Sequence, residues 1–151
     1  MSVIPPAGGA AADDALPIGE WRTANGRANI RIVDCDGVLW GVISWEKDPG
    51  VDSNNPDPAR RDRPTLGLPI LRAMKPTRPG LWEGEVYNAE NGKTYASRIS
   101  LSAADVLRIE GCVLGFLCGG EDWTRVKADG AAAPPQRTGR KNAAACTEIA
   151  K

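Results

Sequence analysis

Glu83 and Glu85 stand two residues apart in W-E-G-E-V-Y-N, Trp82 to Asn88. On a strand that spacing puts both carboxylates on one face, roughly 7 Å apart. Paired carboxylates are the machinery of glycoside hydrolysis, but a catalytic pair flanks its substrate from different elements. A same-strand pair reads as two solvent-facing side chains. A second oxygen-rich stretch is D-S-N-N-P-D-P, where Asp52, Asn54, Asn55 and Asp57 have the donors of a calcium loop. Pro56 interrupts that loop, and no bidentate Glu follows where an EF-hand needs one. Asx-turns that fold the chain explain the same residues, so no metal is expected. A third group is basic: Arg60, Arg61, Arg63, Arg72, Lys75 and Arg78, against Asp62 alone. Such a set can grip an anionic head group by bidentate contacts. It lacks the interleaved aromatics of a nucleic-acid groove, and no nucleic-acid partner is expected.

The chain has 151 residues and no histidine, which removes the Ser-His-Asp triad, the Cys-His dyad and every His-containing zinc site. Lys+Arg and Asp+Glu both total 19, so no global field draws it to nucleic acid or membrane. None of Cys35, Cys112, Cys118 and Cys146 forms a C-x-x-C pair, which argues against redox and zinc-knuckle roles. Cys112 and Cys118 flank V-L-G-F-L and are expected to join across a hairpin as a disulfide. The pairing of Cys35 and Cys146 stays open. No cofactor is expected.

The elements that position these groups are short strands. Trp21–Ala24 leads into Asn25-Gly26, a two-residue hairpin signal. Ile30 and Ile32 alternate with polar neighbours, Asp36-Gly37 makes the next turn, and V-L-W-G-V-I-S-W runs from Val38 to Trp45. A loop from about Lys47 to Leu66 follows, long enough to suggest a role of its own. Further strands are expected at Gly67–Ala73, Leu81–Tyr87, Thr94–Leu101, Val106–Cys112 and Cys118–Val126. The expected fold is all-β: a small antiparallel up-and-down barrel of eight strands over residues 19–127, which leaves no exposed edge. Residues 1–18 read as a disordered leader, and 128–151 as a disordered or weakly helical tail. Met1 to Trp21 carries no Lys or Arg and no continuous apolar run, so no secretory signal is read in it. No stretch approaches the roughly 20 apolar residues of a membrane helix.

Neighbouring first and last strands would bring G-E-W (Gly19–Trp21) beside W-T-R (Trp123–Arg125). Trp21, Trp123 and Arg125 are therefore expected to close one end, with the Arg125 guanidinium over the Trp21 indole. Together with I-R-I, G-V-I-S-W, D-S-N-N-P-D-P, G-L-P-I-L, W-E-G-E-V-Y-N and G-K-T-Y, in this order from about Gly19 to Val126, these pieces resemble an uncharacterised bacterial family, the domain-of-unknown-function (DUF) family twenty-one forty-seven. The resemblance implies a lipocalin-like barrel, made with a signal peptide and exported to the periplasm or beyond the cell, with no established catalytic residues. This chain departs at Trp40, where relatives often carry Cys, and at Ala89, where Pro is common. The first departure leaves Cys35 without the hairpin partner that the family implies.

These readings point to a non-enzymatic exported protein that holds a small apolar or amphiphilic ligand in its barrel. Trp45, Trp82, Tyr95 and Ile99 are expected to point inward, with Tyr87 and Arg72 as polar groups nearer a mouth. The alternative is an interaction module that grips an anionic envelope partner through the 47–66 loop and its arginines. A hydrolase built on Glu83 and Glu85 ranks third.

Overall fold

The computed structural model describes residues 16–113, 117–127 and 146, with the backbone alone for Val113, Leu117 and Cys118. The expected leader up to residue 15 and the tail from 128, Cys146 aside, lie outside the described residues. Eight strands follow in order: β1 (Gly19–Arg22), β2 (Ala28–Cys35), β3 (Val38–Glu46), β4 (Pro69–Arg78), β5 (Leu81–Asn88), β6 (Lys93–Ala103), β7 (Val106–Val113) and β8 (Leu117–Arg125). Each pairs antiparallel with the next, and β1 pairs with β8 through Trp21↔Arg125 and Arg22↔Thr124. The sheet is thus a closed up-and-down barrel.

Alternation decides the faces. Ile30 and Ile32 on β2, Leu39 and Ile43 on β3, Ile99 on β6, and Leu107 and Ile109 on β7 point inward and are buried. At the β2–β3 turn Asp36 and Gly37 both take positive φ, 58° and 87°, the conformation of a type I′ hairpin. The Asp34 carboxylate accepts the Gly37 N–H at 2.7 Å. The Asn25-Gly26 connection is longer than a two-residue hairpin. Its loop runs from Thr23 to Arg27, with the Asn25 Oδ1 accepting from the Thr23 hydroxyl and the Arg27 N–H. Strand β4 continues past Ala73 to Arg78, and Pro76 sits beside a register shift near the hairpin end, where a missing N–H is tolerated.

Irregularities set what faces where. Asn29 stands opposite Trp45 and Ile30 opposite Ile43, so Ser44 is an extra residue on β3. This bulge reverses the alternation beyond it, since a slip of one residue exchanges faces. On β4, Leu71 and Met74 both face inward, and Ala73 between them takes a φ of 51°. Gly84 on the facing strand makes room for that kink: a Cβ there would overlap the carbonyls of Arg72 and Ala73.

Cys35 is disulfide-bonded to Cys146, a sequence separation of 111. Cys112 is also disulfide-bonded and stands opposite Cys118 in the β7–β8 ladder. The Cys118 side chain lies outside the described residues.

Candidate functional site

The two ends of the barrel are built differently. At one end the Arg125 guanidinium lies over the Trp21 ring, 4.3 Å from its centroid. Its Nη1 donates to the Ile18 carbonyl at 2.9 Å and its Nε to the Ala104 carbonyl at 3.1 Å. Burial lowers the Arg125 pKa, opposed by Asp105. The Trp21 side chain is fully buried, and its indole N–H donates to the Pro17 carbonyl at 2.9 Å. The Trp21 indole N–H and two of the three Arg125 nitrogens thus each have a carbonyl, and the end is plugged. Met74, Trp82, Ile99 and Leu107 fill the adjoining interior.

At the other end the interior is open. A cavity of about 610 Å³ is walled by Ile30, Ile43, Ile70, Val86, Ile109 and Trp123, with Tyr95 on the same wall. Part of this space comes from two glycines. Gly111 and Gly119 face one another across β7–β8, both line the cavity, and a Cβ on Gly119 would meet nothing within 4 Å. The rim is polar, with Arg27, Glu46, Asp48, Asn88, Glu90 and Glu121.

The expected ligand residues divide between these regions. Tyr95 lines the cavity, whereas Trp82 and Ile99 point inward but pack into the filled half. Trp123 belongs to the cavity wall rather than to the plug, because Trp21 alone receives Arg125. Trp45 was expected inside. The Ser44 bulge turns it outward, where it is 40% exposed and lies under Arg22 at 5.0 Å. The Ser44 hydroxyl holds the bulge to the outer wall by donating to Glu20 at 3.0 Å.

Arg72 was expected near a mouth. It stands opposite Glu85 in the β4–β5 ladder, on the outward face; its Nε donates to the Pro69 carbonyl at 2.8 Å, and its guanidinium covers the Tyr87 ring at 4.7 Å. Burial lowers its pKa, opposed first by Tyr87 and then by Glu85. Tyr87, the other polar group expected near a mouth, does border the cavity, yet it is only 3% exposed, because its hydroxyl end lies under Asp52 of the 47–66 loop. Its hydroxyl donates to Asp52 at 2.7 Å, and Asn55 donates to the other carboxylate oxygen at 2.7 Å. Desolvation and that carboxylate push the Tyr87 phenol up to about 12.

The D-S-N-N-P-D-P stretch is therefore a clasp. Asn54 donates to the Ala89 and Glu90 carbonyls in the β5–β6 turn, and a Cβ at Gly92 would overlap the Asn54 carbonyl. Asn55 Oδ1 accepts the Asp57 N–H, and Asp57 caps a single 3-10 turn at Pro58–Arg60. No group of His, Cys, Asp and Glu among the described residues could hold a metal ion. Arg61 is used inside the loop, donating to the Asn55 carbonyl, and Arg60 lies 3.3 Å from Asp57. Glu83 and Glu85 point away from the cavity; Glu83 stands opposite Lys75 and Arg98, and Glu85 opposite Arg72.

A closed eight-stranded antiparallel barrel, plugged at one end by a Trp–Arg stack and hollow at the other, is a lipocalin-like barrel. Its shape is similar to a solved structure described as "Protein HP1028 from the human pathogen Helicobacter pylori belongs to the lipocalin family", with a TM-score of 0.68 at 19% identity, covering 75% of this chain and 84% of that one. The chain belongs to the family of uncharacterised proteins conserved in bacteria, DUF2147, whose profile matches residues 19–125. Comparison with curated proteins finds no match. No helix among the described residues is long and apolar enough to cross a membrane.

Proposed function

We propose that the protein is a non-enzymatic, exported binder that holds a small apolar or amphiphilic molecule in the open half of its barrel. The observation that carries this reading is the cavity of about 610 Å³ with an isoleucine-rich wall and a polar rim. That volume falls within the roughly 300–1,000 Å³ of small-molecule sites, which share this division of apolar body and few polar groups. The opposed Gly111 and Gly119 support it, since side chains there would fill the space that a ligand would occupy. Export is supported by the disulfide chemistry of Cys35, Cys112 and Cys146, which persists in oxidising compartments.

The test is a titration with N-phenyl-1-naphthylamine, an uncharged probe whose emission rises in apolar surroundings. The wild-type protein is expected to bind it at micromolar concentration, with energy transfer from Trp123. Gly119→Phe should weaken binding at least about tenfold without lowering Tm, whereas Trp45→Phe on the outer wall should leave it unchanged. No binding by the wild type, or equal binding by Gly119→Phe, contradicts the proposal.

A further inference from the structure

We propose that the ligand carries a cationic head, an amine or quaternary ammonium on an apolar chain; this rests on the cavity reading above and adds its charge. The whole chain is balanced, yet the cavity's rim is not. Of the charged residues that line it, Arg27 is already paired with Asp48 at 2.7 Å. Glu46, Glu90 and Glu121 have no ion-pair partner among the described residues.

Two of these carboxylates are held by neutral donors. The Thr65 hydroxyl lies 2.8 and 2.7 Å from the two carboxylate oxygens of Glu46, and the Trp123 indole N–H donates to Glu121. Such bonds orient a carboxylate without cancelling its charge. The three groups come from separate elements: the end of β3, the β5–β6 turn and the middle of β8. They therefore surround the opening, where low-dielectric walls concentrate their field. An ammonium at the rim would be attracted to all three while its chain lay against Ile30, Ile43, Val86 and Ile109. The rings of Tyr95 and Trp123 line the same space and offer cation–π partners. A carboxylate or sulfate head would meet repulsion from the same groups. Among the described residues that line the cavity Arg27 is the one cation, while Arg78, Arg98 and Arg108 share a separate patch of the outer wall.

The experiment displaces the bound naphthylamine with three ligands that share a ten-carbon chain: decyltrimethylammonium, decanol and decanoate, each below its micelle or solubility limit. Three carboxylates at the opening, partly screened by salt, should favour decyltrimethylammonium over decanoate by at least about tenfold, with decanol between them. The preference should shrink severalfold in Glu46→Gln and in Glu121→Gln, and raising the salt should reduce it in the wild type. Asp122→Asn removes the same charge from the same strand on the opposite face, and should leave the preference intact. Glu90→Gln, at an exposed turn, provides a third reading if either of the first two variants fails to fold. Equal displacement by the three ligands, or a preference that Asp122→Asn reduces as much as Glu121→Gln does, overturns the charge assignment while the cavity stands. Failure of the wild type to bind naphthylamine removes both.

Discussion

Replacing Arg125 with Ala should open the plugged end of the barrel. The side chain makes two charge-assisted hydrogen bonds, to the Ile18 and Ala104 carbonyls, and covers the buried Trp21 ring at 4.3 Å. Hydrogen bonds to charged groups contribute about 1.5–3 kcal/mol each, and a partly desolvated cation–π contact about 0.5–2 kcal/mol. The side chain keeps 27% exposure, so water recovers part of this on its removal. The expected loss is about 2–4 kcal/mol, or roughly 4 °C of Tm per kcal/mol for a domain of this size. The comparison is Arg108→Ala. Arg108 is 41% exposed and lies 3.4 Å from Asp122 and 3.7 Å from Glu110, surface pairs whose loss costs under about 1 kcal/mol. Thermal unfolding followed by tryptophan emission reads both. A double-mutant cycle with Trp21→Leu should give a coupling of at least about 1 kcal/mol, because the two residues share one contact. Equal Tm shifts for Arg125→Ala and Arg108→Ala, or strict additivity in the cycle, would refute the plug as a coupled unit.

The clasp, the disulfide and one buried hydroxyl each supply a further test. Tyr87→Phe leaves the fully buried Asp52 with Asn55 as its remaining side-chain donor and should cost about 2–3 kcal/mol in urea unfolding. The folded Tyr87 phenol lies above its ordinary value of 10, near 12, so the stability it contributes is complete below about pH 10 and is lost as pH rises through 12. Absorbance at about 295 nm should show this late step in the wild type and not in Tyr87→Phe. Cys146→Ser opens a link spanning 111 residues and should lower stability by up to about 4–5 kcal/mol in non-reducing unfolding, on a chain-entropy estimate. Ser97 Oγ is buried with no hydrogen-bond partner among the described residues, so Ser97→Ala should raise stability by up to about 1 kcal/mol; a clear loss would show that the hydroxyl has a partner.

The barrel was legible because its strands alternate cleanly and because Asp36-Gly37 has the chemistry of a tight hairpin. The Trp21–Arg125 stack followed from closure itself, which makes the first and last strands neighbours. What alternation could not reveal is where it breaks. Nothing in G-V-I-S-W marks Ser44 as an extra residue, and that one bulge puts Trp45 outside and Glu46 at the rim. Tyr87 and Arg72 depend on a long-range event, the docking of the 47–66 loop over the outer wall, and no local pattern encodes it. The cavity's glycines did carry a signal. Gly111 follows the inward Ile109 by two residues, and Gly119 precedes Trp123 by four on the same face. An absent side chain is easily overlooked beside tryptophans, yet here it makes the space.

Ligand entry into the open half of the barrel underlies both proposals. Methyl-resolved NMR of the wild-type protein with decyltrimethylammonium tests it most directly, because it reports which side chains touch the alkyl chain. Intermolecular NOEs are expected to Ile30, Ile43, Val86 and Ile109, and none to Leu39, Met74 or Ile99 in the filled half. Contacts confined to outer-wall groups such as Trp45, or no saturable shift at any inward methyl, would contradict it.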